Sequence, residues 1–492
     1  MVATRVPAVV CLCVLLVLGS VPAAVAAPAA TVPQRGPATA DAGGSLGVTY
    51  TVDPVPERPG RVRVTADVTV PERVTGLALR PPEDATVTSA DGLVSTGHRW
   101  QWAPETGRAP GLTYTVPVGL DTAHGKRTAA TDDWTLVVRR EVALRARWRW
   151  DEGPDPHWDE RLAVADGHDG VATDTAAYVG PHRTLTRETA GGTVRLVVPE
   201  AATLGPDPAA VFHTIGEAQR RARAGPTHDR LTVIATPNGL AGGGYTPADG
   251  HPTVLVDAGQ PVAAPTNVWV HEARHTRQAY RTTAGMAWLD EGSADYYAAR
   301  ATLRQGRIDR RAYRARVTTD DYRAVDLTEP DAWPAAAVQY EKGVRVVAAV
   351  DARVRQATGG ERTFRDVLVR FTQADRRVSL AVFAETVSAV AGVDLRAYVR
   401  AAVTGRAPPV PTALAGPGGT GLPAPDATGG SAGGDAATPD GSERQASADR
   451  VGVSRAAEGD AARPTGVETG ASGTGVTGAV AIASLAVLLR RR

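Results

Sequence analysis

The segment His-Glu-Ala-Arg-His at 271–275, followed by Trp-Leu-Asp-Glu-Gly at 288–292, constrains the fold of this chain more than any other feature. On a helix, residues four apart lie on one face, so His271 and His275 point to the same place, within reach of Glu272. Glu291, one short loop later, adds a third ligand that zinc accepts and leaves the fourth position for water. The two segments are therefore predicted to converge on one Zn2+ ion, as in a zinc hydrolase.

The residues around both segments favour a buried site over two solvated histidines on a polar helix. Val268, Trp269 and Val270 lead directly into His271, and the second segment is flanked by large apolar and aromatic side chains: Trp288, Leu289, Tyr296 and Tyr297. Asp295 lies one helical turn after Glu291 on the same face. Because metal-bound histidines commonly donate their second ring N–H to a carboxylate, Asp295 is the candidate partner of one histidine.

These motifs resemble those of the gluzincin metallopeptidases, particularly the aminopeptidase N family and its glycyl aminopeptidase relatives. A third element, Tyr-Glu-Lys-Gly at 340–343, opens an apolar helix and is similar to the Tyr-x-Lys-Gly of that family. The resemblance covers about 200–405 in motif order. It implies a thermolysin-like catalytic domain that runs from mixed α/β to helical, preceded by a β-rich domain.

The resemblance also implies a mechanism. Zinc held by His271, His275 and Glu291 lowers the pKa of its bound water and polarises the scissile carbonyl. Glu272 is expected to act as general base and to pass the proton to the leaving amine. Tyr340 is expected to donate a hydrogen bond to the oxyanion; the alternative for this residue is an ordinary core aromatic.

Two departures from the family leave the mode of cleavage open. The loop between His275 and Glu291 is shorter than usual, and the Gly-x-Met-Glu-Asn signature that grips a substrate's amino terminus is absent. At the corresponding place stands Leu-Ala-Gly-Gly-Gly-Tyr at 240–245, whose glycines let a peptide backbone approach an edge strand. Asp249 is interpreted as a turn residue. Aminopeptidase and endopeptidase both remain possible.

An α+β fold is predicted from the hydrophobic pattern. In the β-rich part, 45–200, strands alternate at 62–70 and again at 142–150, so a sandwich or curved sheet is expected. In the catalytic part, 201–405, Asp207 is predicted to cap a helix and 230–235 to form a strand. From Val268 onward the pattern is helical, with interruptions at Gly292 and at 359–360, and Asp394 is predicted to cap the last helix.

The two ends of the chain predict export and anchoring. Residues 1–26 resemble a cleavable signal peptide, and both cysteines, Cys11 and Cys13, lie within it. A disordered Gly/Ala/Thr/Pro-rich tether is predicted at 406–470, and a transmembrane anchor at 471–492, whose terminal arginines would face the cytoplasm. The catalytic domain would then lie at the cell surface. The alternatives are an uncleaved N-terminal anchor and a C-terminal tail removed by a sorting enzyme.

The expected partners are a peptide or protein substrate and, through the anchor, the membrane. Lys and Arg together number 54 against 53 acidic residues, so the charge balance indicates no nucleic-acid partner. A function from another class also fits: a surface-displayed binding protein whose zinc site is structural or silent. Glu272 and Tyr340 argue against that alternative, because a structural site has no use for them.

Overall fold

The computed structural model describes residues 45–410, except 120–126, 152, 223, 248–249 and 375. The predicted signal peptide with its two cysteines, Asp249, the tether from 411 onward and the C-terminal anchor lie outside the described residues. Within the described ranges, no helix combines the length and apolar character needed to cross a bilayer.

The first part of the described chain is built almost entirely of strands. Its elements are β1 Leu46–Pro54, β2 Arg61–Thr69, β3 Val74–Arg80, β4 Thr86–Asp91, β5 Leu93–Thr96, β6 Arg99–Trp102, β7 Gly111–Pro117, β8 Ala129–Ala130, β9 Thr135–Val138, the single helical turn α1 Arg139–Val142, β10 Arg145–Trp150, β11 Trp158–Val164, β12 Gly170–Ala172, β13 Ala176–Val179, β14 His182–Thr189 and β15 Gly192–Pro199. A 3-10 turn at Pro104–Thr106 joins β6 to β7.

Two sheets share one apolar core, as the layers of a sandwich do. Their strand orders are β11-β1-β2-β7-β4 and β10-β3-β6-β5, and both contribute to a common cluster of buried side chains. The alternation predicted at 62–70 is confirmed, since Val62, Val64 and Ala66 of β2 are buried. The second predicted strand begins only at Arg145, because Val142 ends the helical turn α1.

A third sheet, of order β12-β13-β9-β8, adjoins this core and also contacts the sheet that follows. Since successive strand residues face opposite sides, Val137 of β9 joins the sandwich core, while its neighbours Leu136 and Val138 join a second cluster. That second cluster includes Ile234 and Leu255. The β-rich part therefore packs directly against the sheet that supports the metal-site helix.

The remaining elements alternate strands and helices and then become helical. They are α2 Pro208–Arg221, β16 Arg230–Thr236, β17 Gly244–Tyr245, β18 Thr253–Asp257, α3 Val268–His275, α4 Trp288–Arg304, α5 Arg310–Val317, α6 Val338–Ala357, α7 Phe364–Gln373, α8 Leu380–Ala391 and α9 Arg396–Thr404. Further 3-10 turns lie at Ala284–Met286 and Pro330–Ala332.

The helix starts predicted in this part are close to those observed. Asp207 caps α2 by accepting a hydrogen bond from the backbone N–H of Ala209 at 2.6 Å. Asp394 accepts one from the N–H of Arg396 at 3.0 Å, but Leu395 is the residue at the cap of α9. The predicted α+β class is therefore confirmed, with strands first and helices last.

The fourth sheet carries the metal-site helix. Its order is β14-β15-β16-β18-β17; β15, β16 and β18 run parallel, and the outer strands pair antiparallel. One face packs against α2 and α3 and the other against the β-rich part, so β16 is buried almost throughout. β15 pairs with β16, so strands on both sides of the boundary proposed at residue 200 share one sheet.

Gly292 lies inside α4, so the interruption predicted there is wrong. A Cβ atom at this position would lie 2.7 Å from the carbonyl carbon of Gly343 in α6. The glycine is thus explained by the close crossing of α4 and α6 and not by a break in the helix. By contrast, Gly359 and Gly360 follow the end of α6 with φ of 60° and 89°, as predicted for a helix stop.

Candidate active site

Helix α3 begins at a buried polar anchor. Asn267 is its N-cap, and the side-chain amide donates to the Val262 carbonyl at 2.9 Å and to the hydroxyls of Thr214 and Thr302 at 3.1 Å each. The Asn267 side-chain oxygen accepts from the N–H of Val270 at 3.3 Å. These contacts join α3 to α2 and α4, and all eight residues of α3 are buried. The position of the metal-site helix is therefore set by its neighbours on both sides.

The three predicted metal ligands converge. The Nε2 atoms of His271 and His275 are 3.1 Å apart, and Glu291 Oε2 lies 3.0 Å from the first and 3.5 Å from the second. Ligands on a tetrahedral ion with bonds of about 2.0–2.1 Å are separated by roughly 3.3–3.4 Å. The observed separations are close to this spacing, so the three atoms fit around a zinc ion.

Both histidines are oriented by hydrogen-bond acceptors that contact Nδ1, the ring nitrogen that faces away from the predicted metal position. His271 Nδ1 lies 2.9 Å from Asp295 Oδ1, and His275 Nδ1 lies 2.5 Å from Gln278 Oε1. The Gln278 amide nitrogen donates to the Asp290 carbonyl at 2.8 Å, which assigns its oxygen to His275. With both Nδ1 atoms donating, two Nε2 lone pairs and one carboxylate face one another. This arrangement of ligand atoms is stabilised by positive charge at its centre, which a zinc ion would supply.

The pKa shifts also indicate a site that stabilises positive charge. Burial would lower the pKa of His271, but hydrogen bonds with Asp295 and Glu291 raise it well above its usual range. Burial likewise opposes charge on His275, yet the Glu291 carboxylate raises its pKa to about 9. Burial would raise the pKa of Glu291, and the two histidines lower it to about 2.

Behind His271, the hydrogen-bond chain continues to α5 and α6. Asp295 forms an ion pair with Arg316 of α5, which also contacts Glu341 of α6 at 2.7 Å. Burial would raise the pKa of Asp295, but Arg316 lowers it, so this carboxylate stays ionised. Asp295 therefore lies where the sequence places it, while Arg316 is a partner that the sequence analysis missed.

Glu272 is buried beside the ligands and against the edge strand β17. Its Oε2 accepts a hydrogen bond from the Thr246 hydroxyl at 2.9 Å. Burial raises the pKa of Glu272, although the neighbouring histidines oppose the shift. A Cβ atom on Gly244 would lie 2.6 Å from both Cγ and Oε1 of Glu272, so only glycine fits there. Glu272 is thus a buried carboxyl group whose pKa is raised, which suits it to act as a general base.

Tyr340 also reaches the site, from the first turn of α6. Its ring centroid lies 6.1 Å from that of His271. Burial raises the pKa of Tyr340 well above its usual range, and the carboxylates of Glu291 and Asp295 raise it further. The phenol is therefore a hydrogen-bond donor at neutral pH.

Lys342 of the same motif has a different place. Its ammonium donates to the carbonyls of Val325, Val403 and Gly405, the last two at 2.8 and 2.7 Å. These hydrogen bonds connect the first turns of α6 to the end of α9. Lys342 therefore lies outside the metal site.

Sequence reasoning missed Gln278, Arg316 and Thr246. A signal existed for the first, because Gln278 follows His275 by three residues and so lies near one turn away. Arg316 and Thr246 lie on separate elements, at sequence distances that carry no periodic signal. Only their packing brings them to the site.

No protein-family model and no curated protein matches this chain. Solved structures do match. A variant of an M1 zinc metallopeptidase from Deinococcus radiodurans, bound to a Tyr-Ser-Ala substrate, aligns with a TM-score of 0.51 at 16% identity, over 75% of this chain and 95% of that one. An aminopeptidase N family protein from Idiomarina loihiensis aligns with a TM-score of 0.54 at 13% identity, over 73% and 76%. The predicted resemblance to this group of metallopeptidases is confirmed at the level of the fold.

Proposed function

We propose that this protein is a zinc-dependent peptidase of the M1, aminopeptidase N-like type. The observation that carries the proposal is the convergence of His271, His275 and Glu291, with both histidine tautomers set by neighbours and Glu272 beside them. The fold shared with M1 zinc metallopeptidases supports it. A structural zinc site would not need a buried carboxyl group with a raised pKa next to its ligands.

Each residue has a separate task in the proposed reaction. Zinc bound by the three ligands would acidify a water molecule and polarise the scissile carbonyl. Glu272 accepts a proton from the attacking water and delivers it to the amine nitrogen that leaves. Tyr340, held protonated, donates a hydrogen bond to the oxygen on which negative charge develops.

The substrate we propose is an extended peptide that pairs with β17. This strand is the outer strand of its sheet in the described part of the chain. Its residue Gly244 lies so close to Glu272 that there is no room for a side chain between them. The preceding loop is shaped by Asp257, whose carboxylate accepts from the N–H groups of Ala241 at 2.8 Å and Gly243 at 2.7 Å. Backbone pairing would thus hold the substrate beside the general base.

The proposed pairing with β17 does not require a free amino terminus on the substrate. Asp257 is engaged by the loop backbone and by the Thr236 hydroxyl, so its carboxylate is not available to an α-ammonium group. We therefore propose that peptides with a blocked amino terminus are also cleaved. On the basis of the predicted signal peptide and C-terminal anchor, we also propose that the peptidase is displayed at the cell surface.

The test combines metal analysis with peptide digestion. The purified protein is expected to contain one zinc per chain and to cleave quenched peptides whether their amino termini are free or acetylated. Glu291→Ala is expected to lose both zinc and cleavage, whereas Glu361→Ala, at an exposed glutamate, retains both. Stoichiometric zinc without cleavage of any peptide would favour the binding protein. Cleavage of free termini alone would make the protein an aminopeptidase.

A further inference from the structure

A cavity of about 170 Å³ adjoins a second face of the metal-site helix. Val270 and Arg274 of α3 line it, one residue before each histidine, together with side chains from α2, α4, α6 and α7. Its walls are basic, because six of the twelve residues that line it are arginines: Arg221, Arg274, Arg300, Arg304, Arg355 and Arg365.

Carboxylates balance only part of this charge. Asp351 Oδ2 serves two of the arginines, at 2.9 Å from Arg300 and 2.6 Å from Arg355. Glu217 lies 3.4 Å from Arg221, and Asp366 lies 3.7 Å from Arg365. In the described part of the chain, neither Arg274 nor Arg304 pairs with a carboxylate. The cavity therefore carries an excess of positive charge.

Arg274 is the least compensated of the six. The residue is 6% exposed, and its Nε is buried without an acceptor among the described residues. Its guanidinium lies 4.6 Å from the centroid of the Tyr297 ring. A cation–π contact offsets only part of the cost of burying a charge, which otherwise requires a counter-ion and hydrogen bonds. The missing counter-ion belongs in the cavity that this side chain lines.

The geometry points to a binding site for a phosphate-class oxyanion. Guanidinium groups match tetrahedral oxyanions with paired N–H donors, which makes arginine clusters the usual sites for them. The cavity volume is several times the roughly 30 Å³ that a water molecule occupies in the liquid, so a phosphate group fits with its remaining water.

The source of the phosphate group is either the free ion or a phosphate monoester. Arg221 and Arg304 are exposed, so the cavity opens to solvent at their side, where the organic part of an ester would extend. Because Arg274 lies between the two metal-ligating histidines on α3, occupancy of the cavity stabilises this helix. The bound anion thus supports the metal site without touching it.

The test measures anion binding to the zinc-loaded protein by calorimetric titration and thermal unfolding. Inorganic phosphate and glycerol 3-phosphate serve as probes, with chloride at matched ionic strength as the comparison. We expect saturable binding and a higher Tm with at least one phosphate probe and no saturable effect of chloride. Tighter binding of the ester than of phosphate identifies an ester as the natural occupant, and the reverse identifies the free ion.

Variants distinguish phosphate binding in this cavity from phosphate binding elsewhere on the protein, including binding to zinc. Arg304→Ala and Arg221→Ala, both at the exposed side, are expected to weaken phosphate binding about tenfold each. Arg311→Ala, at an exposed arginine of α5 that does not line the cavity, leaves binding unchanged. Absence of saturable binding with both probes, or equal affinity in the two cavity variants and the wild type, overturns the proposal. Neither readout depends on peptidase activity.

Discussion

At the scale of single residues, Glu272 and Asp295 show how the environment of a carboxylate decides its role. Asp295 is paired with Arg316, which keeps it ionised and able to orient His271. Glu272 has a neutral hydroxyl as its hydrogen-bond partner, and burial raises its pKa. The first carboxylate therefore holds a ligand in place, and the second is suited to moving a proton.

Replacing Glu272 by glutamine separates metal binding from chemistry. The amide keeps the shape of the side chain but accepts no proton, so Glu272→Gln is expected to retain zinc and to lose about 10²–10⁴-fold or more in kcat. Zinc content by mass spectrometry and single-turnover cleavage measure the two properties. Full activity in this variant would show that another group is the general base, and Glu361→Gln is the exposed control.

Gln278 is expected to contribute through His275. Without its side chain the ring of His275 loses the acceptor at 2.5 Å that sets its tautomer. Gln278→Ala should therefore weaken zinc binding by roughly 10–100-fold, as is typical for partners of ligating histidines. Competition with a chromophoric chelator measures the affinity. Gln356→Ala, at an exposed position on α6, is the matched control; equal zinc affinity in both variants would mean that Gln278 does not orient His275.

At the scale of elements, the edge strand β17 and helix α3 depend on each other through one glycine. Gly244 has no room for a Cβ atom, because Val268 Cγ1 would lie 2.4 Å from it and Glu272 Oε1 2.6 Å from it. The strand therefore runs close enough to α3 for a peptide paired with it to meet Glu272. A larger residue would displace either the strand or the general base.

Gly244→Ala is accordingly expected to lower kcat/KM by about 10²-fold, since displacements near 1 Å in a catalytic site have effects of this size. Zinc should remain bound, because the three ligands lie on α3 and α4. Gly47→Ala in β1 is the matched control, as nothing lies within 4 Å of the added atom. Peptide kinetics and zinc content measure both variants. Unchanged kinetics in Gly244→Ala would contradict the close approach of β17 to the site.

At the scale of the whole molecule, zinc binding connects α3 to α4. In the metal-free protein, His275 on α3 and Glu291 on α4 carry opposite charges. In the metal-free protein burial opposes charge on His275, but Glu291 and Glu272 together raise its pKa to about 9, above its ordinary value of 6.5. The protonated histidine therefore stabilises the metal-free fold below about pH 6.5, and this contribution is lost as the pH rises through about 9. Zinc requires the unprotonated ring, so its binding strengthens over the same range.

The difference in Tm between the zinc-loaded and the chelator-treated protein should consequently grow from pH 6.5 to pH 9. The two trends are one effect, because the proton that stabilises the metal-free fold is the proton that zinc must displace. Differential scanning calorimetry at constant free zinc measures this difference. A Tm difference that stays constant or shrinks with rising pH would contradict a raised pKa of His275 in the metal-free protein.

Much of the fold and of the candidate site is local in origin. The spacing of His271, Glu272 and His275 on one helix and of Glu291 and Asp295 on another depends only on helical geometry. The buried alternation of β2 and the cap at Asp207 depend on neighbours along the chain in the same way. Local patterns of this kind were sufficient to predict the ligand set and the α+β class.

Other features were decided by tertiary structure, because they depend on residues that are distant in the sequence. Gly292 lies within a helix, where Gly343 of α6 packs against it, and no sequence spacing relates Arg316 to Asp295, its ion-pair partner. The basic cavity likewise draws its arginines from several helices. Residue type and helical spacing specify which groups can bind zinc. Packing specifies their partners, since the distances between separate elements depend on how those elements meet and on no periodicity of the chain.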